Sequence, residues 1–163
     1  LSESIDFGAV THFTVGTIGE PGHRVFLLQI GAGALLLTLK VEKAQVLAMI
    51  QGFTTAVEEL SRPHELTGET ALVGDVTPAW IVGSIELEVD AVTELIEVAL
   101  EELADEEPAT ARCVITREQA AQFAITATRL VEQGRPPCPL CGYPLDPEGH
   151  ACPRTNGHRA PSL

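Results

Sequence analysis

The sequence predicts an α+β fold: antiparallel sheet, in one piece or two, with two helices packed on one face and a small zinc module at the C-terminus. Three observations predict it. Short β-rich apolar runs alternate with turn chemistry. Two longer stretches carry apolar residues at helical spacing. Three of the four cysteines crowd into fifteen residues near the end of the chain.

The elements follow in order. Residues 12–40, "HFTVGTIGEPGHRVFLLQIGAGALLLTLK", read as three strands, with EPGH and GAG as the turns between the apolar runs. Residues 41–60 place Val46, Leu47, Ile50, Phe53, Val57 and Leu60 three and four apart, which predicts an amphipathic helix lying on the sheet. Gly52 weakens that helix by about 1 kcal/mol relative to Ala. Residues 61–78 are rich in Pro, Gly, Thr and acids and read as a long connection. Residues 79–89 form a strand with Ile85, Leu87 and Val89 on one side and Glu86 and Glu88 on the other.

Residues 91–103 are ambiguous. Val92, Leu95, Ile96, Ala99, Leu100 and Leu103 fit a helix, while Ile96, Val98 and Leu100 against Glu97 and Glu101 fit a strand. An internal echo decides for strand. "LTLKVEKAQVLAMI" and "CVITREQAAQFAI" share a β-rich run, a charged turn with Gln and an Ala-rich helix, at an offset of roughly 75 residues. A duplicated βββα unit would explain it, with 91–103 and 110–116 as strands. Residues 117–134 then form the second helix, with Thr116 as N-cap, Glu118 in the first turn and Gly134 closing it. The expected domains are a body over 1–134, with halves 1–60 and 79–134, and a Cys/His tail over 135–163.

Charge and composition narrow the function. Ten Lys and Arg stand against 23 Asp and Glu, a net charge of −13. Ten acids and no base lie between Glu86 and Glu107. Such a body repels phosphate, so nucleic-acid binding is disfavoured and a basic partner or cationic ligand is favoured. The plainer reading is a solvated acidic surface. No apolar run is long enough to span a membrane. "LSESIDFGAV" has neither a basic start nor an apolar stretch, so no secretory signal is expected. Crowded cysteines beside a solitary Cys113 fit a metal site plus a buried thiol in a reducing, cytoplasmic setting better than a disulfide framework.

The tail carries the strongest signal: Cys138-x2-Cys141-x8-His150-x-Cys152-x5-His158, five candidates for four places. Two thiolates at i and i+3 converge on one metal across a tight turn, and a structural zinc takes four ligands at tetrahedral angles. His150 shares one side of an extended segment with Cys152 and is the preferred fourth ligand; His158, after the PRTNG turn, is the alternative. A redox CxxC would open a helix, whereas Pro144 and Pro147 follow this one. Three thiolates and an imidazole leave no open position for water, so the expected zinc is structural. The deaminase signature needs His-x-Glu upstream, and His64-Glu65 lacks the spacer. Without apolar periodicity the tail cannot fold on burial alone, and a metal would supply the missing stabilisation.

The segments "GTIGEPGHRVFLLQ" and "GRPPCPLCGYPLDPEGHACPRTNGHR" resemble DUF3090, a mostly actinobacterial family of proteins of unknown function. The resemblance implies a full-length, mostly cytoplasmic protein with a C-terminal Cys/His module. It implies no activity, substrate or catalytic residue.

Other residues read more plainly. Gly19, Pro21, Gly22, His23 and Arg24 in the EPGHR loop could hold a ligand, but a hairpin turn explains them. No GxGxxG or P-loop spacing is present. Trp80 reads as a core or edge anchor, Cys113 as a buried small hydrophobe, and His12 and His64 as solitary. The expectation is a non-enzymatic binding or adaptor protein with a protein partner and a structural zinc tail. The alternatives are an enzyme with its site near the EPGHR loop, and a zinc-ribbon nucleic-acid factor, which the charge disfavours.

Overall fold

The computed structural model describes residues 2–20, 22–66, 70–133, 138–143, 145 and 152–155. In chain order the elements are β1 (Ile5–Ala9), β2 (His12–Ile18), β3 (Val25–Ala32), β4 (Leu35–Val41), α1 (Lys43–Glu59), β5 (Val82–Asp90), β6 (Leu95–Glu102), β7 (Thr110–Thr116) and α2 (Arg117–Glu132). A 3₁₀ turn, Pro153–Thr155, lies in the tail. The class is α+β, as expected. One sheet is the antiparallel meander β2-β3-β4; the other has the order β1-β7-β6-β5.

The order βββα occurs twice, as β2–β4 with α1 and β5–β7 with α2. The halves are laced together. The chain entering each half's first strand runs along the third strand of the other half. β1 pairs in parallel with β7, and Val10 N–H donates to Val114 O at 3.3 Å. In the corresponding place Ala79 N–H donates to Thr38 O at 2.8 Å and Lys40 N–H to Trp80 O at 3.0 Å.

The helix starts repeat this lacing. Gln45 and Gln119 each complete a capping box. Gln45 Oε1 accepts from Glu42 N–H at 2.8 Å, and its amide donates to Val82 O at 2.9 Å. Gln119 Oε1 accepts from Thr116 N–H at 2.9 Å, and its amide donates to Val10 O at 2.8 Å. Each glutamine therefore caps the start of one helix and anchors the opposite half. The sequence echo, read from "charged turn with Gln", rests on this shared job.

One apolar core serves both sheets and both helices. Phe13 of β2, Phe53 of α1 and Phe123 of α2 meet with ring centroids 5.1 to 5.8 Å apart, two of the three pairs edge to face. On β6 the alternation is as expected: Ile96, Val98 and Leu100 are buried.

Four expectations need correction. The buried line of α1 is Val46, Met49, Phe53 and Ala56, while Leu47 is 47% exposed. The stripe is turned because α1 packs on α2 as well as on β5, and Met49 and Ala56 suit that contact. Gly52 is not merely a weak point, since a Cβ there would come within 2.6 Å of Leu87 Cδ1 on β5. Strand β1 is not predicted by the sequence pattern: "IDFGA" has no clear alternation, and it owes its pairing to β7, which makes that sheet mixed. Residues 91–94 form a turn rather than strand, with Asp90 Oδ1 accepting from Val92 N–H at 2.9 Å and Thr93 N–H at 3.2 Å. Gly134, the expected close of α2, lies outside the described residues.

Residues 70–75 do more than connect. They lie across the outer face of the three-stranded sheet as a strap. Thr14, Gln29 and Thr38 stand in register across its strands, all buried. Thr14 Oγ1 donates to Thr70 O at 2.8 Å and Thr38 Oγ1 to Asp75 O at 2.9 Å. Gln29 between them donates to Val73 O at 2.8 Å and accepts from Val73 N–H at 2.9 Å. Gly16 makes room for the strap: a Cβ there would meet Leu72 Cγ at 2.3 Å.

Candidate metal centre

The site begins with a tight turn. Cys138 N–H donates to Tyr143 O at 2.7 Å, and Gly142 N–H donates to Cys138 O at 2.8 Å. Gly142 holds φ at 77°, a left-handed conformation that glycine adopts without steric cost. This turn brings Cys138 and Cys141 together. Cys152 joins them from the far end of the segment.

The three Sγ atoms lie within 4.8 Å of one another, and Cys138 and Cys152 are 4.0 Å apart at sulfur. That separation is far beyond a disulfide bond of about 2.05 Å. Two thiolates on one zinc, with bonds of about 2.3 Å at tetrahedral angles, stand about 3.8 Å apart. The trio therefore has the spacing of a shared cation and could hold a metal ion. Cys138, Cys152 and Leu145 are buried and form a cluster separate from the main core, with Cys141 packed against it. Leu145, which sequence reasoning passed over, shields the sulfurs from water; the module also holds Leu140, which is 48% exposed, so residue type alone did not single out Leu145.

Electrostatics fits the same picture. Partial burial raises the Cys141 thiol above its ordinary range, a backbone hydrogen bond at Tyr143 opposes this, and the neighbouring Cys138 and Cys152 add to it. Crowded thiols resist sharing negative charge, and a bound cation removes that resistance by releasing their protons. His150 and His158, the two candidates for a fourth ligand, both lie outside the described residues.

The remaining candidates take structural places. Cys113 is 1% exposed in the body core, and burial pushes its thiol up to about 12, with Asp6 and Glu97 adding to the shift. It is an inert core thiol. His12 Nε2 donates to Gln29 Oε1 at 3.1 Å, beneath the strap. His64 accepts from Arg117 at 3.3 Å, and Arg117 also pairs with Glu94 and with Glu118 at 3.2 Å. The described part of the EPGHR loop joins β2 to β3, with His23 N–H donating to Glu20 O at 2.9 Å. Trp80 is a core residue, 5% exposed. Among the described residues no helix is long and apolar enough to cross a membrane.

Fold and site together define an acidic α+β protein with a C-terminal cysteine trio able to hold a metal ion. The chain belongs to the DUF3090 family, described as "protein of unknown function": the family model matches residues 5–152, from the start of β1 to Cys152. No curated protein matches the chain.

Proposed function

We propose that this is a non-enzymatic binding or adaptor protein whose tail is folded around a structural zinc held by Cys138, Cys141, Cys152 and His150. The convergence of three sulfurs within 4.8 Å, in a segment with little else to bury, carries this reading. Soft thiolates in a tetrahedral set favour zinc over the hard, oxygen-seeking cations. The family match ends at Cys152, so it takes in His150 and not His158, which supports His150 as the fourth ligand. A Cys3His set is closed to water, so the metal holds a surface in place and activates no nucleophile. Free thiols of this kind belong to a reducing, cytoplasmic compartment.

Elemental analysis of gently purified protein should give about one zinc per chain. His150→Ala should weaken zinc binding and His158→Ala should not; the reverse result would exchange the ligands. Less than about half a zinc per chain would remove the metal reading altogether. Cys138→Ser/Cys141→Ser should lose partners in a pull-down from native cells. An unchanged partner set would remove the docking role of the tail.

A further inference from the structure

The two halves differ at their first strands. In the first half β2 is buried from Phe13 to Gly16, with Phe123 of α2 against its inner face and the strap against its outer one. In the second half β5 ends its sheet, whose order is β1-β7-β6-β5. From Gly83 to Asp90 its residues are half-buried or exposed. Among the described residues no backbone bond reaches its outer edge between Gly83 and Asp90. The third strands, by contrast, are covered in both halves, β7 by β1 and β4 by residues 79–81.

An open strand edge is a row of N–H donors and C=O acceptors spaced for another strand. Between Ser84 and Asp90 there is no proline, no lysine and no bulge to block pairing; the one irregularity against β6, between Val82 and Ser84, precedes this stretch. What the stretch does carry is charge. Glu86, Glu88 and Asp90 are exposed, and Glu97 stands opposite Glu88 on β6. Arg112 on the same face lies two strands in and pairs with Glu97 at 3.6 Å. These carboxylates disfavour a second copy of the chain at this edge. With two β5 strands paired antiparallel about Leu87, each Glu86 would oppose Glu88 of the other copy, and like charges directly opposite are destabilising. On the other face Ile85, Leu87 and Val89 are half-buried and pack on the main core.

We propose that the edge of β5 takes an extended segment of a partner protein in which lysine or arginine alternates with an apolar residue, added as a fifth strand to the four-stranded sheet. Main-chain bonds supply the attachment, and the alternation supplies the selection. The basic residues of the segment stand beside Glu86 and Glu88, about 5 Å away at Cβ. Its apolar residues, on the other face of the pleat, continue the row of Ile85, Leu87 and Val89. The proposal rests on the binding-protein reading above and gives that partner its chemistry. It does not use the metal, so zinc content and the tail's partner test stand or fall separately from this edge.

Full-length ¹⁵N-labelled protein is titrated with the end-capped peptide Lys-Val-Lys-Val-Lys-Val-Lys. Amide resonances of residues 84–90 should shift saturably. The β5 amides that do not bond to β6 should exchange about tenfold more slowly at saturation. Methylating the peptide's backbone nitrogens at alternate residues separates strand addition from charge attraction. One set of N–H groups faces β5 and the other faces water, so methylating one set should abolish binding and methylating the other should spare it. A peptide with Glu in place of Lys should not bind. Glu86→Gln/Glu88→Gln, on exposed side chains, should weaken the lysine peptide about fivefold. Binding that survives both methylations, or an unchanged affinity in the double variant with its melting temperature intact, would overturn the proposal. So would the absence of any shift in residues 84–90, or β5 shifts that grow with protein concentration alone, which would give the edge to a second copy.

Discussion

On the outer face of the first sheet stand Thr14, Gln29 and Thr38, in line across three strands and buried under residues 70–75. On the outer face of the second stand Glu86, Glu88, Glu97 and Arg112, open to water. The inner faces share one core and one helix pair. The strand order is shared too, so topology does not decide which outer face is covered. Side-chain chemistry does. A primary amide offers a donor and an acceptor, so Gln29 can pair with both backbone groups of Val73, as a neighbouring strand would. Carboxylates only accept. Burying Glu88 directly opposite Glu97 would also bring like charges together away from water. The face that could receive a strap received one, and the other stayed charged.

The sharpest break of this comparison is Gln29→Ala. The substitution strands Val73 N–H and C=O and frees Thr38 and His12, all bonded to Gln29 at 3.1 Å or less. At about 1 kcal/mol for each of these bonds, it should cost about 2–4 kcal/mol in urea unfolding. Glu97→Gln on the open face removes only an exposed contact to Arg112 at 3.6 Å. Its effect should stay within about 0.5 kcal/mol. Equal losses for the two variants would mean that the strap contributes nothing. Limited proteolysis within residues 61–78 should accelerate in Gln29→Ala alone.

How much of this could be read from the chain depends on where each signal is stored. The meanders, Thr116 as a cap and the three thiols were legible because their residue types act locally. The echo was legible because Gln45 and Gln119 fill the same capping position. Strand β1 and the strap were not, because "IDFGA" and residues 70–75 take their places from distant partners, β7 and Gln29. A glutamine inside the apolar run "VFLLQI" was the one sequence sign that an outer face would be covered. The buried line of α1 depended on how closely α2 approaches, which spacing within one helix does not reveal.

The second comparison is between the halves, and it predicts equality. Gln45→Ala and Gln119→Ala each remove one backbone capping bond and one bond to the opposite half, and Gln119→Ala also removes a long 3.4 Å contact from Thr116 Oγ1. Each side chain is half-buried. Each variant should therefore lose about 1–2 kcal/mol in chemical denaturation, with the two values matching closely. A loss confined to one of them would show that the lacing bears on only one side, whatever the symmetry of the strand order.

The smallest effect separates the halves by pH. The β5–β6 turn is held by carboxylates. Asp90 lies below the usual carboxylate range because the Thr93 and Val92 amides donate to it, and Glu94 because Ser61 donates to it and Arg117 stands beside it. The β3–β4 turn, Gly33 and Ala34, contains no ionisable side chain. Folded-state values depressed below ordinary ones of 3.8 and 4.5 mean that these bonds contribute fully above those values. The contribution is lost as pH falls through the folded values. Amide exchange compared at about pH 6 and about pH 3, corrected for intrinsic rates, should show β5–β6 losing more protection than β3–β4. In Asp90→Asn/Glu94→Gln that difference should shrink, because the titrating groups are gone. If the two hairpins loosened in parallel, the carboxylates would not be what holds the second turn, and the contrast between the halves would reduce to their outer faces.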